Sequence, residues 1–236
     1  MTKQLLRWLP LCILIIIFGV FLYFQGYDYL TFDALKRHRE LLLMWQNEHF
    51  LIAIIAYMSI YILLIACSIP SAVFLSMAGG FMFGPWLGAI LALISASIGA
   101  FIVFCAVALA FRAAIEKKTV KWLQLMAEGF KKNAFFYLIF LRIAPIFPFW
   151  VVNIVPALLG VSKRTFFFAT LIGMIPGCFI YVSLGSGLGH LFDNDQVPNV
   201  RILYDPEILI PLIGLAILAV IPIIYKWYKR RGRDDE

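Results

Sequence analysis

The stretch LLIACSIPSAVFLSMAGGFMFGPW, residues 63–86, is apolar enough to lie in a membrane, yet it cannot form one uninterrupted helix. Pro70 lacks a backbone donor and its ring crowds the preceding turn, Gly79, Gly80 and Gly84 loosen the chain, and Pro85 follows at once. The stretch sits inside a longer run, His49 to Phe111, in which 63 residues pass without an Asp, Glu, Lys or Arg. A helical crossing of the hydrocarbon core takes about 20 apolar residues. The run therefore holds either three crossings, or one crossing plus a hairpin that enters and leaves by the same face.

The rest of the composition agrees with a membrane chain. Of 236 residues 63% are hydrophobic and only 14% charged, and the mean hydropathy is +0.93, outside the range of soluble globular domains. The stretch Trp8 to Tyr27 is long enough to span and contains the bulky residues Phe21, Leu22, Tyr23 and Phe24 in place of a small-residue cleavage site, so residues 1–27 are expected to keep a first transmembrane helix. Cys12, Cys67, Cys105 and Cys178 are scattered through apolar segments without metal-ligand spacing and read as core filler.

The net charge of +7 reports topology rather than nucleic-acid binding. Basic residues dominate the N-terminus (Lys3, Arg7), residues 112–132, Lys163 with Arg164, and the tail 226–236, whereas residues 28–48 and 193–207 are net acidic. The excess of Lys and Arg on cytoplasmic loops puts the first group, and with it both termini, inside and the second group outside. The chain must then cross an odd number of times between 49 and 112 and an even number between 132 and 163.

That second interval is too short for two crossings and carries Pro145, Pro148 and Pro156. A re-entrant hairpin over 133–162 fits, its tip tolerable only against protein or a wet cavity. By the same logic residues 49–83 form a hairpin with its tip near Ser68, Pro70 and Ser71, followed by a spanning helix 86–111; a second spanning helix, 165–189, bent near Gly173 and Pro176, follows the second hairpin. Two hairpin-plus-helix units of opposite orientation make an inverted repeat, as in many secondary transporters. The expected fold is an all-α integral membrane protein, completed by an external interfacial segment 28–48, a basic cytoplasmic interfacial helix 112–132, an external loop 191–207 and a C-terminal transmembrane helix 208–225. Three full crossings between 49 and 111 satisfy the same parity.

Arg142 is the one formally charged residue between Lys132 and Lys163. An arginine at mid-bilayer costs about 2.5–3.5 kcal/mol on insertion scales and marks a functional site by default. Its fork suits phosphate or carboxylate oxygens, and the helix start after Pro148 would add N–H donors, with Asn153 one turn on. The alternative is an arginine that snorkels to the surface or pairs with backbone carbonyls. Gly80, Gly84 and Gly88 recur at four-residue spacing, as do Ala92, Ala96 and Ala100, a pattern of close helix packing. The GSGLG of Gly185 to Gly189 reads as a helix terminus, not a nucleotide loop. His38, His49 and His190 lie apart from one another, and no catalytic constellation, metal site or cofactor motif is visible, so an enzyme is not expected.

The run Leu141-Arg142-Ile143-Ala144-Pro145-Ile146-Phe147-Pro148-Phe149, with Asn153, Gly160 and Lys163-Arg164-Thr165-Phe166 after it, resembles the second hairpin signature of the DedA superfamily, in its branch of bacterial relatives of the SNARE-associated Golgi proteins, whose shared core is the VTT domain. Pro70 leading to Ala78-Gly79-Gly80-Phe81-Met82-Phe83-Gly84 agrees with the first hairpin, and the likeness covers about residues 50 to 190. The resemblance implies inverted re-entrant hairpins and lipid movement between leaflets, of polyprenyl phosphate carriers or phospholipids, with Arg142 at the head group. Cys67 and Ser68 stand where an acidic residue is expected, and no second arginine follows Arg142. The sequence thus leads to a flippase-like or scramblase-like carrier of an anionic lipid head group in a bacterial plasma membrane. The expected substrate-binding residues are Arg142, Asn153, Pro145, Pro148, Ser68, Pro70 and Ser71, and the expected partners are membrane lipids, with room for a homo-oligomer. A small-anion transporter and a non-transporting membrane organiser remain as alternatives.

Overall fold

The computed structural model describes residues 2–31, 37–111, 133–143, 148–193 and positions 206, 210, 213 and 214. The described residues are mostly helical, with no strand among them. The basic segment 112–132, Pro145, the loop beyond Asp193, and the C-terminal helix and tail as units lie outside them. Helix α1 runs Thr2–Tyr23; Gln25 then adopts a left-handed conformation (φ 51°) and a 3₁₀ turn follows at Gly26–Tyr29, so the first helix stops short of the expected Tyr27.

Helices α2 (Arg39–Glu48) and α3 (Phe50–Ala66) meet at His49 with a bend of 120°. The end of α3 shows why residues 63–86 are not a single rod. Ile69 N–H bonds the Leu64 carbonyl and Ser68 N–H that of Ile65, while Ser68 takes φ 59°. This is the Schellman stop, with a serine in the left-handed position that usually holds glycine, and Pro70 prevents the helix from resuming. Ser71 starts helix α4 (Ala72–Ala110), its carbonyl accepting from Leu75 N–H.

The first part of α4 doubles back along α3. The Tyr61 hydroxyl donates to the Ala72 carbonyl (3.1 Å) and shares a hydrogen bond with Ser76 Oγ (2.9 Å), while one turn earlier Tyr57 reaches the Leu75 carbonyl (3.0 Å). Lower numbers on α3 face higher numbers on α4, so the two arms are antiparallel. A second break comes at Gly84, where φ 75° and ψ 177° leave the helical region and Pro85 follows. Gly88 accordingly packs on the backbone of Gly79 and Gly80, which a straight helix would hold two turns away. Gly84 is thus a corner with open space where a side chain would lie, and the four-residue packing stripe expected over Gly80, Gly84 and Gly88 does not form.

Beyond the corner, Ala92, Ala96 and Ala100 are fully buried. Helix α5 (Asn133–Ile143) and helix α6 (Phe149–Leu158) come next. The exit from α6 is again a Schellman stop: Val161 N–H bonds the Pro156 carbonyl, Gly160 N–H that of Ala157, and Gly160 takes φ 74°. Ser162 Oγ then accepts the Thr165 N–H at 3.1 Å and caps helix α7 (Lys163–Asp193). Because α7 runs on to Asp193, Gly185 to Gly189 lie within the helix rather than at its end, and the first residues of the expected external loop belong to it. Phe104 of α4 stacks on Phe166 of α7 at 4.1 Å, while Trp86 meets Phe179 at 5.6 Å, so the long helices are antiparallel.

Among the described residues Ala72–Ala110 and Lys163–Gly187 are long and apolar enough to cross a membrane, and the bent α2–α3 pair makes a third if counted as one span. The chain is a helical membrane protein.

Candidate functional site

Arg142 lies near the end of α5 and points between α6 and α7. Its Nη2 donates to Asn153 Oδ1 at 2.6 Å and to Thr170 Oγ1 at 3.1 Å. The rings of Phe149 and Phe166 stand 5.5 and 5.6 Å from the guanidinium carbon, within cation–π range. Asn153 and Thr170 are fully buried, whereas part of Arg142 remains accessible. The backbone makes room for it: a Cβ at Gly173 would stand 2.7 Å from Arg142 Cβ.

Among the described residues the charge has no ionic counterpart. The sequence contains no Asp or Glu between Glu128 and Asp193, and the partners found among the described residues are an amide, a hydroxyl and two ring faces. Neutral dipoles orient a guanidinium without cancelling its charge, so the site presents a cation to whatever reaches it. Thr170 lies seven residues beyond Lys163 on α7, about 10 Å along the helix. The guanidinium therefore sits away from the charged end of α7, about a quarter of the way along it.

Of the residues expected at the site, the fold brings Arg142 and Asn153 together. Pro148 stands at the exposed start of α6, where its carbonyl accepts the Val151 N–H at 3.0 Å. Pro145 lies outside the described residues. At the first tip Pro70 is exposed, Ser68 is half-buried, and Ser71 is buried with its Oγ on the Ile69 carbonyl. None of these three bonds Arg142, whose partners are Asn153 and Thr170, and they have local structural roles in the break. Thr170 and Gly173 were not singled out as site residues by the sequence, since a threonine and a glycine in a membrane helix carry no signal of their own.

The sequence matches the VTT domain over residues 69–187. It is 27% identical to Transmembrane protein 41B of Xenopus laevis over 229 residues, which cover 92% of this chain and 80% of that protein. It is 28% identical to Transmembrane protein 41B of Homo sapiens over 198 residues, 82% of this chain and 66% of the relative. The Transmembrane protein 41 homolog of Dictyostelium discoideum is 28% identical over 197 residues, 82% of this chain and 57% of its own length. No solved structure matches the chain.

Proposed function

The chain belongs to the VTT-domain family of DedA proteins, and on that footing we propose that it carries an anionic lipid head group between the leaflets of its membrane. The observation that carries this reading is the guanidinium of Arg142, whose hydrogen-bond partners among the described residues are both neutral. A buried arginine that served only to tie helices together is better satisfied by a carboxylate, and leaving it uncompensated is costly unless an anion visits.

The helix breaks supply the route. Helix α3 turning back into α4 before the Gly84 corner (φ 75°), and helices α5 and α6 ending at Gly160 (φ 74°) before the long α7, are the features in favour of an inverted pair of re-entrant hairpins. Hairpins shorter than the bilayer leave a thin polar passage for a head group while the acyl tails stay in lipid. With basic segments inside, both termini lie in the cytoplasm and the plasma membrane is the site of action. The cycle moves a molecule without making or breaking a covalent bond.

The test is reconstitution of the purified protein in liposomes with a fluorescent phosphatidylglycerol in both leaflets. Wild type should expose the inner pool to an external quencher, and Arg142→Ala should fall to the protein-free rate while melting as a folded protein in detergent. An undiminished rate in that variant removes the assigned role. Chloride or phosphate efflux from the same vesicles without lipid transfer would favour a small-anion transporter, and neither flux a membrane organiser.

A further inference from the structure

Both N–H bonds of Arg142 Nη2 are taken up within the protein, one by Asn153 Oδ1 and one by Thr170 Oγ1. An arginine has no acceptor, so the amide of Asn153 can turn only one way, oxygen towards the guanidinium and Nδ2 away from it. Of the donor nitrogens that remain, two are buried and unpartnered. Among the described residues Arg142 Nε and Asn153 Nδ2 are both sealed from solvent and both without a hydrogen-bond partner. Orphaned buried donors are rare because each has surrendered its water for nothing in return, and here two occur on side chains bonded to each other.

We infer that Asn153 is a second ligand-facing donor, working with Arg142 Nε on one acceptor-only oxyanion, and that Thr170 is the positioning residue that fixes the guanidinium so that Nε stays free. The inference rests on the head-group reading above and adds to it a second donor. An amide alone is not selective for charge, but an amide N–H used together with a guanidinium N–H suits the oxygens of a phosphoryl group. The sealed state is the resting one, and its covers differ. Phe166 is fully buried and locked by its stack on Phe104, whereas Phe149 opens α6 beside the exposed Pro148. Phe149 is therefore the ring that moves aside when a head group enters.

The decisive variant is Asn153→Asp. It keeps the shape and an oxygen for Arg142 Nη2, strengthens that contact, and replaces the donor by a charged acceptor that cancels the site's charge. The expected result is a protein that melts no lower than wild type yet transfers fluorescent phosphatidylglycerol about 10- to 100-fold more slowly, the range for losing a hydrogen bond to a charged group. Thr170→Ser should transfer normally and Thr170→Val should not, a rescue that a purely space-filling role would not produce. An independent reading comes from wild-type protein labelled with ¹⁵N-arginine, the Arg142 Nε–H resonance being assigned by its loss in Arg142→Lys. Adding short-chain phosphatidylglycerol to the detergent should shift that resonance. A folded Asn153→Asp that transfers at the wild-type rate overturns the inference, as does an unmoved Nε–H resonance in a protein whose Arg142→Ala variant is inactive. Normal transfer by Arg142→Ala would instead remove the head-group reading itself.

Discussion

The position of Arg142 is decided as much by what is missing at Gly173 as by what Asn153 and Thr170 supply. A methyl group there would stand 2.7 Å from Arg142 Cβ, 3.1 Å from its Cγ and 3.2 Å from the Ile139 backbone, so it must push α5 away from α7. Gly173→Ala is expected to destabilise by about 1–3 kcal/mol, the usual cost of overpacking, and to slow lipid transfer by drawing Nη2 off Thr170. Gly177→Ala, one turn on in open space, should leave transfer unchanged and melt no lower. Comparing melting temperatures and transfer rates of the two variants checks this, and equal behaviour would mean that the arginine is not held by packing. Arg142 and Asn153 were legible in the sequence because a charge stands out in an apolar run and the amide lies one turn beyond a proline break. Thr170 and Gly173 were not, because only the docking of α7 on α5 gives them a role.

At the scale of the element, the tip of the first hairpin is a device for stopping a helix. Its expected part in a substrate wall is not needed to explain its residues: Ser68 occupies the left-handed position of a Schellman stop, Pro70 blocks continuation, and Ser71 starts the return. A left-handed conformation costs an L-residue about 1–2 kcal/mol relative to glycine. Ser68→Gly should recover part of this, raising the melting temperature of the detergent-solubilised protein with transfer intact. A fall in transfer with raised stability would instead restore Ser68 to the substrate path. The prolines announced a break in the sequence but not its pairing. What sets the arms antiparallel is the hydroxyl of Tyr61 on Ala72 and Ser76 and that of Tyr57 on Leu75, and no motif links a tyrosine to a carbonyl eleven or eighteen positions away.

On the scale of the molecule, the charge-free run and its glycine-proline breaks made a helical membrane protein with interrupted segments readable, whereas the way its two halves meet depends on glycines whose partners are a hundred residues distant. A Cβ on Gly80 would collide with the Val182 carbonyl, and one on Gly185 with the Met77 carbonyl. The contact is reciprocal: each helix offers a bare backbone patch to the other's carbonyl, one on the first part of α4 and one on α7. Backbones this close gain dispersion contacts that side chains would prevent. Gly80→Ala and Gly185→Ala should therefore each destabilise by about 1–3 kcal/mol, although neither side chain would lie near Arg142's hydrogen bonds. The double variant tests whether the joint is one unit. Once a first methyl has parted the helices, the second finds space already made, so the double variant should lose clearly less stability than the two singles together, a coupling expected only of residues that share a contact. Strict additivity in thermal melts of the four proteins would show that Gly80 and Gly185 act at separate places, and that the two halves are held together by the aromatic stack of Phe104 on Phe166 rather than by this seam.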